Sequence, residues 1–252
     1  MKLPCHGKIE CSDCYGNGAA NLENKKWKMK NDPGAWGASE PEYLVLGFSK
    51  GATQSDIYAS GAFDDVAFGG ELTRRNLTNI LRAVNLLEKG ASVDEHITKN
   101  RTRFHFGSLV RCSLARLNEK KLRETGIESY ETSGQLIVKS FVEVPSIIKR
   151  CADKYLSELP KPLKAVLVLG TNDAYIKKMK SLVHRLHPIT YMEIDDISYE
   201  AGGVLWLHIT HPSKGNGHLS AWLHKDSSNA SGRKRNQAIH LINKYGFGIN
   251  SK

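Results

Sequence analysis

A chain of 252 residues with 40% hydrophobic content is long enough to bury one sizeable core, and 1–252 reads as a single domain. The formal charge of +10 points to a polyanionic partner, nucleic acid ahead of a membrane surface. No run of about 18 apolar residues occurs and "MKLPCHGKIE" lacks the apolar core of a signal peptide, which excludes a spanning or secreted reading and gives a cytoplasmic expectation.

Residues 1–41 are rich in Cys, Gly, Asn, Lys and Pro and show little apolar periodicity, so they read as an irregular segment held by something other than a core. The chain's five cysteines, odd in number and in a reducing compartment, argue against a disulfide framework and offer that hold. From 43, "YLVLG" is a short, continuously apolar strand ending in a glycine turn. Leu72, Leu77, Ile80, Leu81, Val84 and Leu87 then recur at helical spacing over roughly 71–88. "FHFGSLV" (104–110) is a second strand, and the charged, then Gly-punctuated, then apolar stretch 117–144 is an insertion expected to form a hairpin or a short helix plus strand. Pro145 opens a helix carrying Ile147, Ile148, Cys151, Tyr155 and Leu156. "AVLVLG" (165–170) is a third strand, after which Asn172 or Asp173 can cap a helix. "VLWLHIT" (204–210) is the fourth, and a last helix spans 232–245 and stops at Gly246. Continuous apolar runs mean strands covered on both faces, so the expected fold is α/β, a three-layer α/β/α sandwich around a central, mainly parallel four-stranded sheet.

Four polar clusters then meet at one edge: "GFSKGATQSD", "GSLVRC", "GTND" and "HITHPSKGNGH". That edge is where open α/β folds put ligands. Singly, a glycine after a strand is a turn and His-Pro-Ser is a loop; jointly they mark a site. A dinucleotide enzyme is disfavoured, because neither glycine cluster spells Gly-x-Gly-x-x-Gly and no ribose-binding acid follows at the usual distance.

The ordered series resembles the uracil-DNA glycosylase superfamily, in particular its iron–sulfur branch. Gly47-Phe48-Ser49-Lys50-Gly51 stands where that branch has a GEAPG loop, and "AFGGELTRRNLTNIL" is similar to its PFvG..G..L helix entry through Phe68 and Gly69. "FGSLVRC", "SIIKRCADKYL" and "PLKAVLVLGTNDA" resemble the strand, helix and strand that follow, and His211-Pro212-Ser213 resembles the closing HP(S/A) motif. The likeness runs in order over about 11–225.

What the resemblance implies is a monomeric, monofunctional DNA glycosylase that flips a base from the stack and hydrolyses its bond to the sugar. His211 would support the negative charge that grows on the leaving base. Gly47, Phe48, Ser49 and Gly51, with Phe68, Ser108 and Asn172, would surround that base, Phe68 stacking on its face. The family's base-reading asparagine is Ser108 here and its loop glutamate is Phe48; Gln54 and Asp56 are the nearest replacements for orienting water, and Asn172 with Asp173 a second pair whose other task is helix capping. A smaller reader leaves space for a larger base, and similar superfamily members in bacterial defence remove glucosylated hydroxymethylcytosine from phage DNA. An ordinary uracil glycosylase and a catalytically inactive DNA-binding module are the alternatives. Lys50, Ser213, Lys214, Arg233, Lys234 and Arg235 are the expected DNA contacts, and Leu219 or Trp222 the wedge that fills the gap left by the flipped base. The resemblance assigns Cys11, Cys14, Cys112 and Cys151 to a [4Fe–4S] cluster; zinc on Cys5, His6, Cys11 and Cys14 is the rival.

Overall fold

Before the first long strand the chain forms β1 (Gly7–Lys8), β2 (Tyr15–Gly16), β3 (Ala19–Ala20), β4 (Trp27–Lys30) and β5 (Gly34–Gly37). Next come β6 (Tyr43–Gly47), α1 (Ala52–Ser60), α2 (Phe63–Val66), α3 (Glu71–Ala83), β7 (Phe104–Ser108), β8 (Ser113–Leu117), α4 (Glu119–Thr125), β9 (Tyr130–Glu131) and α5 (Leu136–Glu143). They are followed by α6 (Pro145–Leu156), β10 (Ala165–Leu169), α7 (Asp173–Leu186), β11 (Met192–Asp195), β12 (Ser198–Ala201), β13 (Val204–Ile209), α8 (Leu219–Leu223) and α9 (Ala230–Lys244). This computed structural model describes residues 2–16, 19–98, 103–132, 136–224 and 227–249.

The four apolar runs become β6, β7, β10 and β13, all parallel, in the order β7-β6-β10-β13. The expectation of a four-stranded sheet needs correction, because the central sheet has eight strands, β1-β5-β7-β6-β10-β13-β12-β11, with antiparallel wings on both sides. The added strands are two to four residues long, too short for a period to register, and β5 is the loop-like "GAWG". The segment 1–41 is corrected with them: it supplies β1 and β5 to this sheet and β4 to a second, three-stranded sheet β4-β8-β9.

Side chains alternate across the parallel strands, and each face has its own apolar layer. Leu44, Leu46, Val166, Val168 and Trp206 pack with α6 and α7 on one face. Tyr43, Val45, Phe106, Leu167 and Leu207 pack with α3 and α9 on the other. Helices on both faces explain why these strands read as continuous apolar runs.

Helix ends follow local chemistry. Asn172 caps α7 by accepting from the Tyr175 amide at 3.2 Å, and Asn229 caps α9 by accepting from the Gly232 amide at 2.8 Å, so α9 begins at Ala230, two residues before the expected start at 232. α3 stops at Ala83 rather than 88 because Asn85 takes the left-handed conformation (φ 61), although Leu86 and Leu87 stay buried. The insertion is a helix, a short strand and a second helix, α4, β9 and α5; its residues 133–135 lie outside the described set. Among the described residues, no helix is long and apolar enough to cross a membrane.

Candidate functional site

Parallel pairing in the order β7-β6-β10-β13 puts the carboxyl ends of all four strands on one edge, with the topological switch point between β6 and β10. On the β6 side, a Cβ at Gly47 would lie 3.8 Å from Ser108 Oγ and 4.0 Å from Phe68 Cε1. Glycine loop, hydroxyl and aromatic ring therefore meet at one place. Phe68 is half-buried, stands edge-on to Phe106 at 5.8 Å and has φ 56, a left-handed conformation costly for a bulky side chain. Its turn is held by Gln54, whose Nε2 donates to the Val66 carbonyl at 2.8 Å, and by Arg74, whose Nε donates to the Ala67 carbonyl at 2.9 Å.

On the β13 side stands His211. The Ser213 amide donates to His211 Nδ1 at 3.1 Å, so Nδ1 is an acceptor and the ring proton sits on Nε2. Burial pushes the His211 pKa down to about 4, which keeps the ring neutral at physiological pH. The loop is held by hydrogen bonds that the sequence did not announce. Asn216 Nδ2 donates to Thr210 Oγ1 (2.9 Å) and to the His211 carbonyl (2.6 Å), while Asn76 of α3 donates to the Pro212 carbonyl at 2.9 Å.

Several sequence-derived site residues lie elsewhere. Phe48 is 7% exposed and packs in the core against Phe141 and Tyr175, so its ring is not a pocket wall. Ser49 Oγ is buried with no hydrogen-bond partner, and Gly51 is the N-cap of α1. Gln54 spends both ends of its amide, the second accepting from the Gly51 amide at 3.1 Å, so it is a clasp rather than a water-orienting group. Asp56 is exposed on α1, 3.7 Å from Lys30. Asn172 serves as the α7 cap, and Asp173 pairs with Lys234 at 2.5 Å.

The expected DNA contacts divide the same way. Lys50 is corrected: at 1% exposure it is buried, pairing with Asp32 at 3.4 Å and donating to the Arg111 carbonyl, and burial lowers its pKa. Asp32 in turn accepts from the Ser113 amide (2.7 Å) and hydroxyl (2.6 Å). Arg235 is also buried, and Trp222, fully enclosed under α9, cannot be a wedge. Leu219 is half-buried against the same layer, and the Ser213 amide is committed to His211. Lys214 and Arg233 are exposed. Arg233 and Lys234 line a groove of about 720 Å³ between α7 and α9, with Lys177 and Lys180; Lys180 there pairs with Glu193 at 2.8 Å.

The other polar concentration lies where α6 meets the amino-terminal segment. Cys14, Cys112 and Cys151 are buried and Cys11 half-buried; Cys11, Cys14 and Cys112 each lie close enough to Cys151 to couple to it electrostatically. Burial pushes the Cys112 thiol up to about 12 and the Cys151 thiol up to about 11, so both stay protonated unless a metal displaces the proton. Lys154 of α6 ties the segment down through Asp13 (2.7 Å) and Cys11 Sγ (3.6 Å), and Arg150 through the Asp13 carbonyl (3.0 Å). Among the described residues, no three or more His, Cys, Asp or Glu side chains converge closely enough to hold a metal ion. One ion needs its donors around one point, whereas a four-iron cluster takes one thiolate per iron corner and spans more space. The hydroxyls of Tyr15 and Tyr155 face the thiols of Cys112 and Cys11, and the whole Arg111 guanidinium is buried here without a hydrogen-bond partner. Thiols beside an unpaired buried cation fit an anionic iron–sulfur cluster. The zinc set fits poorly, since His6 uses Nε2 on Asp64 (2.9 Å) and accepts at Nδ1 from the Gly37 amide (3.2 Å), and Cys5 is exposed.

Compared with protein-family models and with curated proteins, the chain matches none.

Proposed function

We propose that this chain is a monofunctional DNA glycosylase of the uracil-DNA glycosylase type, acting on a modified pyrimidine, glucosylated hydroxymethylcytosine of phage DNA foremost, and leaving an abasic site. The observation that carries the reading is His211: a neutral imidazole, its Nδ1 fixed by the Ser213 amide, at the carboxyl end of a parallel strand and across the switch point from Gly47, Ser108 and Phe68.

In this reading the flipped base stacks on Phe68 while Gly47 lets the backbone approach it closely. The bond from the sugar carbon to the base nitrogen breaks with its electron pair going to the base, and the sugar becomes oxocarbenium-like. His211 Nε2–H hydrogen-bonds to the negative charge developing on the base, a role for which a preorganised neutral donor suffices. Water bonds to the sugar carbon and loses its proton, and the released base takes one up. Asp56 and Asp173 each pair with a lysine, and this reading assigns catalysis to stabilisation of the leaving group by His211.

Ser108, half-buried where a longer amide reader would stand, supports a larger base. The charge of +10 and the exposed Lys214 and Arg233 support a DNA partner. Cys11, Cys14, Cys112 and Cys151 would hold a [4Fe–4S] cluster, which when bound staples the amino-terminal segment to α6 and supplies a redox-active centre.

The inactive binding module is the second reading, favoured by Phe48 lying in the core where the family carries an acid. Base release measured by mass spectrometry from DNA containing uracil, hydroxymethylcytosine or its glucosylated form separates the readings. Release of the glucosylated base alone supports the proposal, release of uracil alone replaces it with an ordinary uracil glycosylase, and DNA binding without release of any base supports the module.

A further inference from the structure

Arg111 follows β7 and turns inward. It is 2% exposed, and none of its guanidinium nitrogens has a hydrogen-bond partner. A buried charge in that condition is strongly destabilising unless an anion stands beside it. The obvious anion is spent: Asp32 is taken by Lys50 and by the amide and hydroxyl of Ser113. Around the guanidinium stand the Tyr155 ring at 5.1 Å, the thiol of Cys151 and the backbone of Gly107, where a Cβ would overlap the Arg111 head group. The cation is thus lodged between the thiol group and the strand that ends at Ser108.

We propose that Arg111 is the built-in counter-charge of an anionic cluster on Cys11, Cys14, Cys112 and Cys151. The inference rests on the iron–sulfur reading and adds the residue that balances the site's charge. Four thiolates leave a four-iron cluster net negative, and a buried cation at its flank favours the electron-rich form, raising the reduction potential. Gly107 belongs to the same device, since its lack of a side chain makes room for the guanidinium. Arg111 acts as a positioning residue through charge and has no contact with substrate in this scheme.

The test compares the wild-type protein, Arg111→Met and Arg111→Lys, all purified anaerobically, by iron and sulfide content, reductive titration followed in the visible spectrum, and the rate of iron loss to a chelator. The expected result is about four irons per wild-type chain, a shift of Arg111→Met to a more negative potential with several-fold faster iron loss, and a return towards wild-type values in Arg111→Lys. Wild-type protein without iron and sulfide overturns the iron–sulfur reading and this inference together. Loaded wild type and loaded variants with equal potentials and equal iron loss overturn the counter-charge alone. Should Arg111→Met fail to fold, Arg111→Lys and Arg111→Gln carry the comparison, and equal potentials in those two variants overturn the proposal.

Discussion

The Ser213 amide and His211 Nδ1 share a 3.1 Å hydrogen bond, and that contact leaves Nε2 as the ring's donor. If the proposed glycosylase chemistry holds, removing the ring should remove transition-state stabilisation and little else. His211→Ala is expected to lower base release by roughly 10²–10³-fold, the range for loss of one oxyanion-type donor, with DNA affinity in gel-shift assays nearly unchanged. His211→Gln, which can still donate, should fall between. Equal losses of binding and release would place His211 in DNA contact instead.

Acid should unfold the protein through its buried imidazoles. His105, His208 and His211 are held neutral by burial, with pKa values lowered from 6.5 to about 3, about 4 and about 4. Below pH 6.5 the unfolded chain takes up protons at these positions that the folded chain refuses, so stability falls as pH drops towards 4. Each contributes a slope of up to about 1.4 kcal/mol per pH unit. Urea midpoints between pH 7.5 and 4.5 check this; a flat profile above pH 5 would contradict it.

Lys50 and the exposed cations should part company when mutated. Lys50→Met leaves Asp32 buried without its cation, a change that costs roughly 3–5 kcal/mol, or roughly 6–20 °C of thermal midpoint at this size. The salt dependence of DNA binding should stay as in the wild type.

Lys214→Ala and Arg233→Ala should do the reverse, each lowering the slope of log K against log salt by about 0.9 on duplex DNA while leaving the melting curve in place. Fluorescence-anisotropy titrations at several salt concentrations read both effects.

Phe68 occupies a left-handed turn and is half-buried. Phe68→Ala is expected to lose base stacking worth about 1–3 kcal/mol, seen as roughly 5- to 150-fold slower release at limiting substrate. Its thermal midpoint should change little. A large fall in midpoint would instead make Phe68 a core residue.

The parallel centre was legible because β6, β7, β10 and β13 are covered on both faces and so carry uninterrupted apolar runs. The wings were not, since β1 and β5 are too short and glycine-rich to show a period, and α1 has no apolar stripe at all. His211 was found because a proline stops its strand immediately afterwards. Lys50 was misplaced because a lysine in a glycine loop reads as surface; only Asp32, distant in the chain, makes its burial tolerable. Arg111 offered one faint signal, Gly107 four residues ahead of a large cation, which reads as a turn until both are placed.

Helix α3 connects the Phe68 turn to the His211 loop. It begins immediately after Phe68-Gly69-Gly70, and from its second turn Asn76 grips the Pro212 carbonyl next to His211. The helix is in effect a caliper, setting the Phe68 turn and the His211 loop relative to each other by its own rise and rotation. One residue inserted between Gly70 and Asn76 would turn one jaw by about 100° relative to the other. The ring and the histidine would both survive such a change, but no longer in their present relation to each other.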